Sequence, residues 1–302
     1  MANPESRRLE AFKSDEIKAR YLAAYDALLR KWPIPYEERN LSTRFGVTHV
    51  VMSGPASAPP LVLLHAVLAT ATVWRSNVQG LSGHFRVYAV DILGQYGKSA
   101  SSRAIRSRRD FADWMCDLFD ALGLARASLV GNSYGAFLAM NQASLTPERV
   151  DRLVMINPAG VFASFVPKFV RMILRGLLSG LRPAAKRRRP TVAATLGRNV
   201  QFGPDEQEWA DLVSLVWSGL DMRVNWIFPT AFSRAELRGV RSPTLLLMGD
   251  NELLYNPHKI LKRAQERMPS IEAEIVPNAY HIAAMARPDE VNSRIIRFLC
   301  SG

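Results

Sequence analysis

The chain has few of the features that mark secreted, membrane-spanning or metal-dependent proteins. Its 302 residues include only two cysteines, Cys116 and Cys300, which are too few for a disulfide framework and typical of a reducing compartment. No apolar stretch has the length and lack of charge needed to cross a bilayer, and the polar N-terminus lacks the apolar core of a signal peptide. Glycine-rich phosphate loops are absent, and the five histidines do not pair at metal-ligand spacing. We therefore expect a cytoplasmic protein with no metal and no cofactor.

Acidic residues are scarce relative to basic ones. Against 39 lysines and arginines stand 27 acidic residues, which gives a net charge of +12 at pH 7. The densest basic run comprises Lys186, Arg187, Arg188 and Arg189. A solvated loop accounts for this run, and the alternatives are contact with an anionic surface, an acidic carrier protein or nucleic acid. Because no groove-binding motif accompanies the charge, the sequence predicts weak contact with polyanions and no specific recognition of nucleic acid.

Short β-branched runs alternate with longer helical patterns along most of the chain. This alternation predicts an α/β protein with a mostly parallel central sheet flanked by helices, and residues 1–302 form a single domain. An amphipathic helix over residues 10–32, stopped by Pro33 and Pro35, predicts an N-terminal helical extension, residues 1–35. Residues 159–232 depart from the core pattern and are predicted to form an insertion.

A serine stands at a predicted strand-to-helix turn. Ser133 lies in a Gly-x-Ser-x-Gly frame, after an apolar β-type run, residues 127–130, and before a helical pattern, residues 136–145. The turn has a cramped backbone, which explains small residues at Gly131 and Gly135. Amide groups and the positive end of the helix dipole face any negative charge that develops there. The pattern therefore predicts a nucleophile elbow.

A serine needs a base and an orienting acid to act as a nucleophile. Asp250 and Glu252 follow a predicted buried strand, residues 242–249, at the edge where an open α/β sheet places its ligand site. His281 follows the next predicted strand, residues 271–276, in a loop just before a helix. The order serine, acid, histidine is the one that suits a nucleophile elbow.

The other histidines have simpler explanations than catalysis. His49 lies in an N-terminal strand, His84 in a polar turn and His258 at the start of a helix, so each is expected to be a surface or packing residue. His65 ends a strand, where a structural imidazole bonded to nearby backbone is expected. His281 is thus the candidate general base.

Four further segments accompany these motifs in a familiar order. They are the strand and turn at residues 61–67, the strand at 86–91, the glycine loop at 91–99 and the strand at 152–157. With the elbow and the two loops that follow it, they resemble an α/β-hydrolase-fold serine hydrolase of the carboxylesterase type over nearly the whole chain. The resemblance implies the α/β-hydrolase fold, with residues 159–232 as a helical cap or lid over the active site.

The resemblance also implies a role for each site residue. Ser133 would be the nucleophile, His281 the base and Glu252 the acid, because the family's acid stands three residues after the strand-ending glycine. Asp250 is the alternative acid. The oxyanion would be bound by the backbone N–H groups of Tyr134 and Val67, with Leu68 the alternative to Val67.

Two features of the sequence bear on the pocket. Ala66 replaces a preferred glycine in the oxyanion turn, where its methyl group would disfavour a positive φ and slow generic esters. The insertion is rich in aromatic residues, which either line a pocket for an apolar acyl group or only pack the insertion on the core. The expected pocket residues are Ala66, Leu68, Phe162, Trp217 and Trp226.

The predicted function is cleavage of an ester or related acyl compound through an acyl-enzyme. The elbow Gly131-Asn132-Ser133 also resembles that of C–C bond hydrolases of the same fold. Acyl transfer, cyclisation or elimination on the same triad is a further alternative, and a non-enzymatic receptor is another. Haloalkane dehalogenases and epoxide hydrolases need Asp where Ser133 stands, which argues against both.

Overall fold

The structure is a computed structural model that describes residues 9, 11, 12, 14–164, 202–217 and 227–301. Within the helix Pro204–Trp217, the side chains of Val216 and Trp217 are not described. Trp226, the run from Lys186 to Arg189 and much of the predicted cap therefore lie outside the described residues. The predictions for these segments stay predictions.

Within the described residues the chain forms nine strands and nine α-helices. The strands are β1 (Tyr36–Thr43), β2 (Gly46–Ser53), β3 (Pro60–Leu64), β4 (Arg86–Val90), β5 (Ala100–Ser101), β6 (Ala127–Asn132), β7 (Val150–Ile156), β8 (Thr244–Gly249) and β9 (Glu272–Val276). The helices are α1 (Asp15–Leu29), α2 (Arg75–Ser82), α3 (Arg108–Leu122), α4 (Tyr134–Leu145), α5 (Pro204–Trp217), α6 (Arg234–Gly239), α7 (Pro257–Arg267), α8 (Ala283–Ala286) and α9 (Pro288–Cys300). No helix in this described part combines the length and apolarity needed to cross a membrane.

One sheet contains all of these strands. Its order is β1-β2-β4-β3-β6-β7-β8-β9, and the short β5 pairs with β2 outside this path. The six strands β4, β3, β6, β7, β8 and β9 run parallel to one another in this order. At one edge, β1 and β2 form an antiparallel hairpin, and β2 pairs antiparallel with β4. The prediction of a mostly parallel sheet flanked by helices is confirmed.

The central strands are buried on both faces, which explains their continuous apolar sequences. In β3, Val62 and Leu64 pack in one hydrophobic core, while Leu61 and Leu63 point to the opposite face and pack in a second core. Ser133 directly follows β6, one of these strands, at the edge of the sheet where the parallel strands end.

The N-terminal region differs in two respects from the prediction. Helix α1 begins after Ser14, whose side chain accepts a hydrogen bond from the N–H of Ile17 at 3.2 Å, and ends at Leu29. The helix is thus shorter than residues 10–32. The hairpin of β1 and β2 was not predicted, because β1 is polar and mostly exposed along its length.

A long connection of residues 157–243 joins β7 to its neighbour β8, and we call it the β7–β8 connection. Its two ends meet, since the N–H of Phe232 donates to the carbonyl of Val161 at 3.0 Å. Within it, α5 places Trp209, Ala210 and Val213 in a small apolar cluster with residues of the Ala66 turn and the His281 loop. The described part of this connection therefore packs against the edge of the sheet that carries the candidate site.

Candidate active site

The nucleophile candidate occupies a strained turn. Ser133 links β6 to α4 with φ of 52° and ψ of −108°, a conformation that L-residues rarely adopt. A Cβ atom at Gly135 would lie 2.1 Å from the carbonyl oxygen of Leu64, and one at Gly131 would lie 2.3 Å from the carbonyl carbon of Gly135. Both neighbours are backbone atoms with little room to move. The elbow therefore requires glycine at both positions, as the sequence pattern indicates.

A continuous chain of hydrogen bonds joins the three predicted catalytic side chains. The Nε2 atom of His281 lies 2.8 Å from Oγ of Ser133, and its Nδ1 atom lies 2.7 Å from Oε2 of Glu252. Because a carboxylate only accepts hydrogen bonds, Nδ1 carries the proton and Nε2 is left to accept from the serine hydroxyl. This arrangement can move a proton away from the serine oxygen.

The two candidate acids have different surroundings. The side chain of Glu252 is 0% exposed, and its second oxygen accepts from the N–H of Leu254 at 2.7 Å. Asp250 is exposed and accepts from the N–H groups of Asn278 and Ala279 at 3.0 and 3.1 Å. The structure thus brings Glu252 to His281, while Asp250 fastens the loop that leads to the histidine.

Asn157 also holds the His281 loop and was not singled out from the sequence. Its amide nitrogen donates to the carbonyls of Tyr280 and His281, both at 3.0 Å, and its oxygen accepts from the N–H of Gly249 at 2.8 Å. It has a positive φ of 44°, which asparagine tolerates better than most residues. A lone Asn after a buried strand was the signal available in the sequence.

The predicted oxyanion turn has an ordinary backbone at Ala66. Among the described residues other than glycine, the positive φ values fall at Leu68, Ser133, Asn157 and Asn278, and not at Ala66. The expectation that the Ala66 methyl group strains this turn is therefore wrong, and Leu68, with φ of 63°, is the left-handed residue. The N–H of Leu68 points to the side-chain oxygen of Gln95 at 3.5 Å. Tyr134 begins α4, where amides lack partners within the helix.

His65 holds this turn through hydrogen bonds to the backbone. Its Nε2 atom accepts from the N–H of Ile92 at 2.9 Å, which leaves the proton on Nδ1, 2.7 Å from the carbonyl of Ala66. Burial lowers the pKa of His65, so the ring is neutral at pH 7. His65 is the backbone-bonded structural imidazole that the sequence predicts.

His49 is part of a buried ionic cluster and is not a simple packing residue. Its two ring nitrogens lie 3.2 Å from Asp91 and 2.9 Å from Glu38. Burial alone would raise the pKa of Asp91, but the hydrogen bond and charge of His49, together with the N–H of Ala71, outweigh burial and lower that pKa. The cluster fixes the glycine loop beside the oxyanion turn, because Asp91 also accepts from the N–H of Lys98 at 2.9 Å.

A small cavity of about 20 Å³ lies between α5, the Ala66 turn and the segments next to Ser133 and His281, and we call it the recess. Its lining includes Ala66, Asn132, Trp209, Ile282 and Met285. Such a volume suits one water molecule or one methyl group. Asn132 precedes Ser133 and Ile282 follows His281, so the recess lies beside the proposed reaction centre.

The recess contains some of the predicted pocket residues and not others. Ala66 lines it, and Leu68 packs against the surrounding apolar cluster. Phe162 is buried in the main core and does not line the recess. The side chain of Trp217, like the whole of Trp226, lies outside the described residues. Trp209 also lines the recess. It is one of several aromatic residues in the insertion, and nothing in the sequence distinguished it from the others as a pocket residue.

Comparison with known proteins places these observations in a family context. Residues 61–294 match the alpha/beta hydrolase family. Carboxylesterase YbfK of Bacillus subtilis is 38% identical over 297 residues, which cover 96% of this chain and 97% of that protein. The protein named "Uncharacterized carboxylesterase nap", from the same organism, is 36% identical and covers 92% of each chain.

Solved structures agree with the sequence comparison. The crystal structure of carboxylesterase CesB (YbfK) from Bacillus subtilis superposes with a TM-score of 0.83 and covers 95% of this chain and 99% of that one. Naproxen esterase (carboxylesterase NP) from Bacillus subtilis gives the same TM-score at 35% identity, with the same coverage of both chains.

Proposed function

The chain belongs to the alpha/beta hydrolase family, and we propose that it is a carboxylesterase-type serine hydrolase. The hydrogen-bonded chain of Ser133, His281 and Glu252 carries this proposal. It joins a residue that can become a nucleophile to a base and to a buried acid. The two relatives that match more than nine-tenths of the chain are both named carboxylesterases. The relatives do not favour the C–C bond hydrolase, the transferase or elimination catalyst, or the receptor.

In the proposed reaction, the oxygen of Ser133 attacks the ester carbonyl while His281 accepts its proton at Nε2. Glu252 holds the imidazole in the correct tautomer and stabilises its charged form. The N–H groups of Tyr134 and Val67, or Leu68 in place of Val67, donate to the oxyanion, and one such donor contributes roughly 3 to 4 kcal/mol to transition-state stability. His281 then protonates the leaving alcohol. In the second half of the reaction, His281 takes a proton from water, the water oxygen attacks the acyl carbon, and His281 returns the proton to the departing oxygen of Ser133.

We propose an apolar acyl or alkyl group as the bound part of the substrate. The recess supports this choice because Ala66, Trp209, Ile282 and Met285 are apolar and lie beside the triad. The predicted cap, residues 159–232, and its residues Trp217 and Trp226 remain part of the proposal. So does a cytoplasmic location, which fits the free thiols of both cysteines.

A panel of p-nitrophenyl esters of increasing acyl length tests the proposal. We expect turnover that Ser133→Ala abolishes without changing the melting temperature by more than a few degrees. Each added methylene that becomes buried should raise kcat/KM about fourfold at most, from roughly 0.8 kcal/mol of transfer free energy. No turnover on any ester by the folded wild-type protein would contradict the proposal, and flat selectivity would contradict the apolar pocket.

A further inference from the structure

A tyrosine stands beside each member of the proposed triad. Tyr134 follows Ser133, Tyr255 lies three residues after Glu252, and Tyr280 precedes His281. Each has a buried or largely buried hydroxyl group, and burial raises the pKa of all of them, so each hydroxyl keeps its proton. The proposed mechanism gives none of these hydroxyl groups a chemical step.

All of these hydroxyl groups bond to the β7–β8 connection. Where the connection leaves the core, Tyr255 accepts from the N–H of Gly160 at 2.8 Å and donates to the carbonyl of Ala163 at 3.0 Å. Where it returns, the N–H of Ile227 donates to the hydroxyl oxygen of Tyr134 at 3.3 Å. The connection is thus fastened near both ends to residues that neighbour the proposed catalytic side chains.

Between these ends, Tyr280 donates its hydroxyl proton to Glu206 on α5. The carboxylate of Glu206 is buried, and among the described residues its other partner is the N–H of Gly203 at 2.5 Å. Trp209 lies three residues further along α5, on the same face of the helix as Glu206. A bond that holds Glu206 therefore also holds the turn of α5 that carries Trp209, which lines the recess.

Two of the tyrosines are themselves held within the fold. Asn157 donates to the carbonyl of Tyr280, and Tyr134 is part of α4. The start of α5 is also tied to the core by Arg75, which binds Asp205 at 2.5 Å and Glu208 at 2.8 Å. Arg75 is buried and its two carboxylate partners are partly exposed, so these ion pairs hold the start of α5 together with the bond from Tyr280.

We propose that Tyr134, Tyr255 and Tyr280 are specificity-determining anchors for the acyl group. Through their hydroxyl groups, these tyrosines hold the described parts of the β7–β8 connection next to the catalytic side chains, and the bond from Tyr280 to Glu206 holds the turn of α5 that carries Trp209, a residue of the recess. The anchors thereby determine which apolar acyl groups fit beside Trp209, and they leave the proton transfer to His281. This inference rests on the proposed esterase function.

Tyr280→Phe tests the inference, because it removes one hydroxyl and retains the ring. We expect KM for octanoyl and longer p-nitrophenyl esters to rise about fivefold, as expected for the loss of one buried hydrogen bond, with a smaller change for the acetyl ester. Thr146→Val is the matched control: it removes another buried hydroxyl, which bonds to Gln142 at the C-terminal end of α4 and outside the β7–β8 connection, and it should leave the acyl-length profile unchanged.

Glu206→Gln provides a second variant in case Tyr280→Phe does not fold. Its amide oxygen can still accept from Tyr280, but the amide group cannot also accept from Gly203, so an intermediate rise in KM is expected. The rate of covalent labelling by a small fluorophosphonate measures the triad separately. The anchor role would be overturned if kcat fell equally for esters of every acyl length and the labelling rate fell with it. An unchanged KM for the long esters would also overturn it. Absence of labelling in the wild-type protein would contradict the proposed function itself.

Discussion

Replacing Glu252 with Gln tests the assignment of the acid and can be worked out from the hydrogen bonds. Both carboxylate oxygens accept: one from Nδ1 of His281 at 2.7 Å and the other from the N–H of Leu254 at 2.7 Å. A glutamine has one oxygen and one NH₂ group at these two places. If NH₂ faces Leu254, two donors oppose each other; if it faces His281, the imidazole must take the wrong tautomer.

The orientation with NH₂ toward His281 removes the base in the form that the reaction needs, and it is favoured because it leaves the glutamine oxygen to accept from the N–H of Leu254. Loss of the correct tautomer in a serine triad lowers kcat by about 10⁴-fold, and the accompanying change in activation free energy is about 5.5 kcal/mol. We expect a loss of about 10³- to 10⁴-fold in kcat for Glu252→Gln, measured with the best ester of the panel. The melting temperature should fall by only a few degrees, because the amide retains the shape of the side chain.

Asp250→Asn is the matched comparison for this prediction. Asp250 is exposed and accepts from the loop N–H groups of Asn278 and Ala279, so an asparagine loses one of these bonds and water can replace it. A reduction in kcat of less than about tenfold is expected. If Asp250→Asn lost more activity than Glu252→Gln, the reasoning from these contacts would be refuted.

Three further predictions concern the turn, the elbow and the buried ionic cluster. Ala66→Gly should leave turnover unchanged or lower it, because Ala66 already has an ordinary φ; a rise on small activated esters would contradict this. Gly135→Ala should lose activity and soluble expression, since its Cβ would lie 2.1 Å from a backbone oxygen, whereas Gly239→Ala, which meets nothing within 4 Å, should behave as wild type in the same assays. The folded pKa of Asp91 is lowered, so its contribution to stability is present above its unfolded pKa of about 4 and is lost as the pH falls through the folded pKa. Melting temperatures between pH 3 and 6 should therefore fall more steeply with acidification in the wild type than in Asp91→Asn, and equal slopes would count against the cluster.

The elements carried by local sequence pattern could be predicted. The parallel strands are buried on both faces and have continuous apolar sequences, and the elbow needs small residues at fixed offsets from Ser133. By contrast, β1 carries charged residues along an exposed edge, so its sequence lacks the alternation that marks a strand. Its pairing with β2 defines it as a strand.

Contacts between distant parts of the chain could not be predicted. Tyr280 and Glu206 are separated by 74 residues, and no spacing in the sequence links a tyrosine in one loop to a glutamate on a helix of the connection. The ordinary φ of Ala66 likewise follows from how His65 and Leu68 shape the turn. Family resemblance gave the position of the acid, but the buried surroundings of Glu252 emerge only from the fold.

The site of covalent labelling by a fluorophosphonate tests the account most directly. The probe needs an activated serine, and the account places one at the elbow, with His281 at 2.8 Å. Mass spectrometry of the digested wild-type protein should find one adduct, on Ser133, which is absent in Ser133→Ala and forms far more slowly in His281→Gln. An adduct on another serine, or no adduct on a folded protein, would contradict the account.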